Sequence, residues 1–234
     1  MKKYIFKYSF EFLVIFLGIL ISLYFEQSRQ DRVERERKNN SIGQLIKVID
    51  QDIIQIDQFI KLQEKSLMSC NLLYHNLRGD NFLSRDTIIY HISSVGRALK
   101  SFFPQEGIFN QLISTGTFEL IEKKELKSLL LKIYNHQNSR NKAISNQIDL
   151  FTIEFENKIF KNFRIDFKNN NLEGYIYGKT TVENYDFNQK FYYSNEFFGL
   201  LSRAKQWGYQ YTRLLNDIKK NYNQAKIYAL NEIK

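Results

Sequence analysis

The longest apolar stretch of the chain lies near its N-terminus. Phe12 to Phe25 is a run of fourteen residues without a charge, and a strongly charged segment follows it at once. Fourteen helical residues rise only about 21 Å, which is short of the roughly 30 Å hydrocarbon core of a bilayer. Extending the helix back to Tyr4 adds only Lys7 and Glu11, which are four residues apart and can pair on one helix face. The pattern therefore predicts a membrane-spanning helix that begins near Tyr4.

Residues near the end of this run support a membrane helix. Tyr24 lies where an amphipathic ring prefers the membrane interface. A cleaved signal peptide is one alternative, but cleavage favours small residues and Leu23–Glu26 supplies none. A buried core helix is a second alternative, and a helix lying flat in the interface would need a polar face that residues 12–25 lack. Gly18 and Ser22, four residues apart, form a small-residue face through which two such helices can pack.

After the anchor segment, residues 1–25, the pattern becomes charged and then heptad-like. Residues 26–40 carry opposite charges at helical spacing, such as Glu34 and Lys38, and predict a charged helical stalk. From Ile42 to Leu77, core positions alternate in steps of four and three over five heptads. This spacing predicts one long helix that ends near Leu77.

Two further stretches show helical periodicity over many turns. The first covers residues 123–159, and we expect its polar middle, residues 135–146, to fray or to lie near solvent. The second begins at a Ser194 cap and continues to the end of the chain. A shorter helix is predicted within residues 84–104, which begin with a capping serine and end with the only proline.

Three long helices of comparable length predict an all-α fold, in which residues 41–234 form an elongated antiparallel helical bundle. Residues 164–194 interrupt the helical pattern with asparagines, glycines and aromatic residues, and predict an irregular loop with at most a short strand at 175–177. The heptads can pack inside this bundle or against a second copy of the chain. Other amphipathic helices in the same chain favour the intramolecular arrangement.

The net charge of +9 does not indicate a nucleic-acid partner. No run of four or more basic residues occurs, whereas nucleic-acid-binding proteins usually show a clustered basic face or a recognisable module. We therefore expect the bilayer, and not nucleic acid, to be a partner. Cys70 is the only cysteine, which excludes an intrachain disulfide and a cysteine-based zinc site.

Candidate catalytic and metal-binding groups are sparse. The three histidines are scattered without metal-site spacing, and no phosphate loop, dinucleotide-binding pattern or nucleophile elbow is present. We predict no cofactor and no catalytic residue. Asp50, Asp52 and Asp57 are assigned to the outward face of the long heptad helix, where acids are solvated charge.

The C-terminal half is rich in aromatic residues. Aromatic residues at helical spacing usually belong to a core, which is the favoured interpretation. The alternative is a ligand pocket bounded by Phe197, Trp207, Tyr211 and the loop from Phe163 to Ser194.

Several segments form recognisable motifs: Glu11–Leu23 followed by a charged stalk, Phe109–Gly116 with the apolar turn Phe118–Ile121, and Asn195–Leu201. Together they resemble the anchor, the central motif and the C-terminal segment of a family of small bacterial single-pass membrane proteins with a domain of unknown function. That family usually has asparagines and a tryptophan after the anchor, where this chain has Tyr24–Gln27. The resemblance implies a single-pass inner-membrane protein with no assigned activity and no catalytic residues to carry over.

The resulting hypothesis is a non-catalytic, membrane-anchored helical bundle that acts as a scaffold, accessory subunit or sensor-like domain. Its expected partner is a membrane or envelope protein or a second copy of the chain. The alternatives are an envelope enzyme or lipid- or ligand-binding domain that uses the aromatic-rich half, and a membrane-disrupting effector.

The predicted location is the bacterial inner membrane, with a cytoplasmic N-terminus and a periplasmic bundle, because long domains translocate largely regardless of charge. Three lysines precede the span, and five Lys and Arg residues follow it closely. This excess of positive charge after the span favours the alternative of a cytoplasmic bundle.

Overall fold

One helix, α1, runs without interruption from Lys2 to Arg78. The computed structural model describes the backbone of residues 2–98, 100–170 and 179–233, and the side chains of residues 10–96, 100–168 and 181–233. The predicted pairing of Lys7 and the predicted strand at 175–177 lie outside these described residues. Every described side chain of α1 is exposed as far as residue 37, and burial begins at Lys38. The predicted anchor, stalk and heptad helix are therefore parts of one continuous element.

The remaining elements are α2 (Arg85–Ala98), α3 (Gly107–Ser114), a 3-10 turn (Thr117–Leu120), α4 (Lys124–Leu131), a π segment (Lys132–Gln137), α5 (Asn138–Phe163), β1 (Asp166–Asn170), β2 (Lys179–Asn184), α6 (Gln189–Tyr192) and α7 (Asn195–Glu232). The two predicted caps are confirmed: the Ser84 hydroxyl accepts from the Thr87 N–H at 3.2 Å, and the Ser194 hydroxyl from the Phe197 N–H at 3.1 Å. The all-α fold is confirmed, with one small hairpin added to it.

The segment predicted to be an irregular loop is more regular than expected. Strands β1 and β2 pair antiparallel, and Asn188 caps α6 by accepting from the Phe191 N–H at 3.0 Å. Arg164, with φ 42°, ends α5 in the left-handed conformation. The strands were not predicted because their side chains are mostly polar and lack apolar alternation, so tertiary context decides the pairing.

The long helices form an antiparallel bundle around the second half of α1. Helices α2 and α7 pack along α1, and α5 packs against α2 and α7. Towards the stalk, α3 and the 3-10 turn contact α1, while α4 contacts α7. Six heptad positions of α1 are buried in this core: Ile42, Ile49, Ile56, Gln63, Leu67 and Cys70. The heptad face is thus covered by elements of the same chain.

Side-chain pairs fix the register between α1 and α7. Asp50 accepts from Lys226, and Asp57 accepts from Lys219, both at 2.6 Å. The prediction that these two acids face outward was wrong, because α7 lies alongside them. Each pair is partly exposed, so each contributes little stability by itself, but the two in opposite order specify an antiparallel docking.

A glycine allows α7 to approach α1 closely. A Cβ atom added at Gly208 would lie 2.9 Å from Cδ2 and 3.0 Å from Cγ of Leu67, closer than carbon atoms pack. Gly199, on the same helix, is exposed and a Cβ there would meet nothing within 4 Å. Alanine at Gly208 and alanine at Gly199 therefore distinguish the packing effect of an added methyl group from its effect on helix propensity.

We expect Gly208→Ala and Gly199→Ala to change stability in opposite directions. Gly199→Ala should raise the free energy of unfolding by about 0.5–1 kcal/mol, because alanine has the higher helix propensity. Gly208→Ala should lower it by about 1 kcal/mol, because Leu67 must shift away from the new methyl group. Urea denaturation followed by circular dichroism at 222 nm measures both, and equal gains would contradict the close approach of α7 to α1.

Candidate functional site

The N-terminal part of α1 presents a long apolar surface against which none of the described residues of the bundle packs. Its large apolar side chains from Phe10 to Phe25 are between 46% and 73% exposed. The helix is long and apolar enough to cross a membrane, and its best 18-residue window has a mean hydropathy of 1.7 and no buried residue. An exposed apolar surface of this extent exceeds what soluble monomers usually show.

One face of this segment carries its small and polar residues. Glu11, Gly18 and Ser22 are spaced by seven and four residues, so all three lie on one side of the helix. A Cβ at Gly18 would meet nothing within 4 Å, which leaves this face open to a neighbouring helix. Tyr24 lies at the end of the segment, with its ring edge-on to Phe25 at 6.0 Å.

The stalk ends where Lys38 enters the bundle. The predicted pairing of Lys38 with Glu34 was wrong: its ammonium donates instead to Glu232 on α7 and to Glu122 before α4, both at 2.9 Å. The Lys38 and Glu232 side chains are 6% and 1% exposed, whereas Glu122 is 83% exposed. We call Lys38, Glu122 and Glu232 the stalk clasp.

Backbone donors complete the stalk clasp. The Glu232 carboxylate also accepts from the backbone N–H of Glu122 at 2.8 Å and of Lys123 at 3.1 Å. These N–H groups precede α4, where the helix dipole favours negative charge. Three elements distant in sequence therefore meet at one carboxylate, at the point where α1 leaves the bundle.

The electrostatics of the stalk clasp favour the charged forms of both buried groups. Burial opposes ionisation of Glu232, but the donors from Glu122, Lys38 and Lys123 outweigh it and lower the pKa of this carboxyl group. Burial likewise opposes the charge on Lys38, but its two carboxylate partners raise the pKa of the ammonium group. The clasp is thus a fully formed ion pair near neutral pH.

A second polar cluster lies in the middle of the bundle, where residues 100–106 connect α2 to α3. The Phe102 N–H donates to the Tyr211 hydroxyl at 2.6 Å, and the Phe102 carbonyl accepts from Asn141 at 2.9 Å. Tyr211 also donates to Asn141 Oδ1 at 3.2 Å. The expectation that residues 135–146 fray or lie near solvent was wrong for the side of this segment that faces the core. On that side, loop 100–106 supplies hydrogen-bond partners for the polar side chains.

Asp52 is the most buried acid of this cluster and was wrongly assigned to the outward face of α1. It is 0% exposed and accepts from the Tyr222 hydroxyl at 3.0 Å and from the Gln105 N–H at 3.1 Å. The Gln105 side-chain amide donates to its second oxygen at 3.2 Å. Burial raises the pKa of Asp52, and the donors from Gln105 and Tyr222 only partly offset this. Loop 100–106 is thus held to α1 and α7 through one carboxylate.

The π segment places Tyr134 beside this acid. Its ring stacks on Phe109 at 4.4 Å and meets Tyr222 edge-on at 6.2 Å. Its buried hydroxyl adjoins that of Tyr222, but among the described residues it has no partner in hydrogen-bonding geometry. Burial and the nearby carboxylates of Asp52 and Glu106 raise the pKa of Tyr134. Single turns of π-helix occur often at functional sites, where they re-aim a side chain.

The three residues suggested to bound a ligand pocket lie in different surroundings within the described part of the chain. Phe197 is fully buried among other rings, including those of Phe163 and Tyr192. Tyr211 is fully buried in the polar cluster, fourteen residues and about 21 Å farther along α7. Trp207 lies between them, partly buried, and its indole N–H has no hydrogen-bond partner among the residues that the structure describes. These three residues therefore belong to separate parts of the core.

A groove does exist elsewhere on the C-terminal half. It lies between α5 and α7, has a volume of about 270 Å³, and is lined in part by Phe151, Lys158, Glu196 and Arg203. Its mouth carries the ion pair between Lys158 and Glu196. The sequence pattern did not indicate it, because the residues come from helices more than thirty positions apart.

The remaining reactive side chains have structural environments. Cys70 is buried, and burial raises the pKa of its thiol to about 12, so it is not a nucleophile near neutral pH. His91 contacts the Ser69 hydroxyl at 3.1 Å, and His75 contacts Asp80 at 2.9 Å. Within the described part of the chain, no group of three or more His, Cys, Asp or Glu residues is arranged to hold a metal ion.

Comparison of the chain with protein-family models, with curated proteins and with solved structures finds no match. The resemblance of the anchor and the two later motifs to a membrane-protein family therefore stays a prediction. The anchor surface, the stalk clasp and the central polar cluster are the features of the described chain that bear on its function.

The stalk clasp and the central cluster were both missed by sequence reasoning. A signal for Asp52 was present in the sequence, because Asp52 is one residue from the heptad position Ile53 and so lies at the edge of the apolar face. No comparable signal marked Lys38 or Glu232, which are separated by almost the whole chain.

We expect the two glutamates of the stalk clasp to differ sharply in their importance. Glu232→Gln should lower the free energy of unfolding by about 3 kcal/mol, because it leaves Lys38 buried without its buried partner. Glu122→Gln is the matched control and should cost less than about 1 kcal/mol, because that carboxylate is exposed. Urea denaturation at pH 7 measures both variants, and equal losses would contradict the buried pair.

The pH dependence provides the second readout of this prediction. The pKa of Glu232 is lower in the folded than in the unfolded chain, so its contribution is present above the ordinary glutamate pKa. That contribution is lost as the pH falls through the lowered folded value. The stability difference between wild type and Glu232→Gln should therefore shrink on acidification, and a difference independent of pH would contradict an ionic clasp.

Proposed function

We propose that this protein is a non-catalytic, membrane-anchored helical bundle that serves as a scaffold or accessory subunit for another membrane or envelope protein. The observation that carries this proposal is the continuity of α1, which is both the apolar N-terminal helix and the central helix of the bundle. A bundle attached in this way keeps a fixed height and direction with respect to the membrane. That is the property a scaffold needs.

The dimensions support this role. From Phe25 to Arg78, α1 continues for 53 residues, which corresponds to about 80 Å of helix. The stalk clasp holds the last turn of α7 and the start of α4 to α1 at the base of the bundle. The far end of the bundle is thus presented about 80 Å from the membrane surface without a flexible linker.

The buried polar groups support a structural role for the interior. Lys38 and Glu232 join α1 to α7, Asp52 joins α1 to loop 100–106 and to α7, and Tyr211 joins α7 to the same loop. Each of these groups ties together elements that are distant in sequence. Their placement is what a rigid support requires.

The partner in this proposal contacts the anchor through the face that carries Gly18 and Ser22. Small residues on a membrane helix let a second helix approach closely. The partner is a membrane helix of another protein, and a second copy of this chain is the alternative. The resemblance to single-pass inner-membrane proteins supports an inner-membrane location. The proposed orientation, with the N-terminus cytoplasmic and the bundle periplasmic, follows from the tendency of long domains to translocate largely regardless of charge.

Site-specific photo-crosslinking in intact cells tests this proposal. A photoreactive phenylalanine analogue placed at Ser22 should crosslink to a membrane protein, because it faces the partner. The same analogue at Leu20, which is rotated by about 200° on the helix, is the matched control and should react with lipid only. The size of the product distinguishes a second copy from a different protein.

Absence of a protein adduct from Ser22, or equal adducts from both positions, would contradict a partner on this face. A phosphatase that is active only outside the cytoplasm, fused after Lys234, tests the orientation in the same cells. We expect an active fusion, and an inactive but stably expressed fusion would contradict a periplasmic bundle.

A further inference from the structure

We propose that Asp52, Tyr222 and Tyr134 form a buried proton-binding site, and that proton uptake at this site loosens one end of loop 100–106. The ligand of the site is a proton from solvent, which binds to the carboxylate of Asp52 to give a carboxylic acid. No other covalent bond forms or breaks. The rest of the change is a reorientation of hydroxyl groups.

The ionised form of Asp52 is surrounded by neutral donors. Tyr222 and the Gln105 backbone share Oδ2, and the Gln105 side-chain amide occupies Oδ1. Buried carboxylates are usually paired with a cation. The two lysines that flank Tyr222 on α7, Lys219 and Lys226, instead bond Asp57 and Asp50 at 2.6 Å.

The second observation is the partnerless hydroxyl of Tyr134. This residue is 6% exposed, and its hydroxyl adjoins that of Tyr222, although the two are not in good hydrogen-bonding geometry. A buried polar group without a partner costs free energy, so an arrangement that supplies one is favoured. The change needed is that the Tyr222 hydroxyl turns its hydrogen from Asp52 towards Tyr134 and that the two oxygens shift into hydrogen-bonding geometry.

The two arrangements alternate with the protonation of Asp52. When Asp52 is ionised, the Tyr222 O–H donates to it and Tyr134 lacks a partner. When Asp52 is protonated, its new O–H donates to the Tyr222 oxygen and the Tyr222 O–H donates to Tyr134. The three groups form a short chain of hydrogen bonds that reverses direction when the proton binds.

The remaining groups around the site determine which part of loop 100–106 responds. The protonated oxygen of Asp52 has fewer lone pairs available, so the Gln105 N–H loses a strong acceptor. The Phe102 end of the loop is held by Tyr211 and Asn141, whose bonds are not coupled to Asp52. On the π-segment side, Glu106 at the end of the loop adds negative charge near Tyr134 and accepts from Asn138 at 2.9 Å. Release is therefore confined to the Gln105 end.

The sign of the pH effect follows from the burial of Asp52. Its pKa is raised in the folded chain, mainly by burial, so the folded state holds this proton more tightly than the unfolded state. The contribution of Asp52 to stability is therefore greatest at acid pH and falls as the pH rises through the raised value. Protonation of Asp52 therefore loosens the Gln105 end of the loop but does not destabilise the bundle.

Carboxyl carbon NMR of the full chain in detergent micelles tests the proposal. Aspartate carboxyl carbons are labelled, the signal of Asp52 is assigned with Asp52→Asn, and its titration is compared with that of the same carboxyl group in the urea-unfolded chain. We expect Asp52 to bind its proton more tightly in the folded chain, and an equal or weaker proton affinity would contradict the proposal.

If the chain of hydrogen bonds reverses on protonation, two conservative variants should change the proton affinity of Asp52 in opposite directions. Tyr134→Phe removes the final acceptor, so the proton affinity of Asp52 should fall about threefold. Tyr222→Phe removes a charge-assisted bond to the ionised form, so the proton affinity should rise. Both changes remove only a hydroxyl group, and circular dichroism verifies that each variant is folded.

Hydrogen exchange at the Gln105 amide provides the readout of the loop. Corrected for the intrinsic pH dependence, exchange at Gln105 should increase when Asp52 is protonated, while exchange at the Phe102 amide stays constant. No effect of Tyr134→Phe on the titration of Asp52, or equal changes at both amides, would overturn the proposal.

Discussion

The continuity of α1 is the constraint on which the rest of the structure depends. A helix bends sharply only at proline, at a glycine or serine pair, at a π-bulge or at an inserted group. The only proline of the chain is Pro104, so α1 has none along its 77 residues. The anchor and the bundle core therefore share the direction of one helix. Every other element of the bundle is positioned with reference to this helix.

Polar contacts, more than apolar ones, decide how the other elements attach to α1. Apolar faces at helical spacing pack in several registers at similar cost, whereas a buried carboxylate or ammonium group tolerates only the register that supplies its partners. Glu232 has its partners only when α7 runs antiparallel and ends at the base of the stalk. Asp52 has its partners only when loop 100–106 crosses α1 at Gln105. We infer that these buried groups specify one arrangement of the bundle.

Much of the architecture was predictable from the sequence because it follows local rules. The heptads gave the buried face of α1, and the Ser84 and Ser194 hydroxyls cap the predicted helices. The errors concern residues whose environment is formed by distant parts of the chain. The outward position predicted for Asp52 and the pairing predicted between Lys38 and Glu34 were wrong, because the periodicity of one helix does not show that a loop or another helix end covers it. The hairpin of β1 and β2 was missed for a related reason, since polar strands carry no apolar alternation.

Whether one rigid helix joins the anchor to the bundle core can be measured as a distance across their junction. Spin labels at Arg32 in the stalk and at Lys61 in the bundle are 29 residues apart, which corresponds to about 44 Å along an unbroken helix. The measurement is pulsed electron resonance on the full chain in lipid nanodiscs, with Cys70 replaced by alanine. We predict a single narrow distribution centred near about 44 Å. A broad or clearly shorter distribution would show a hinge between stalk and bundle and would contradict the account.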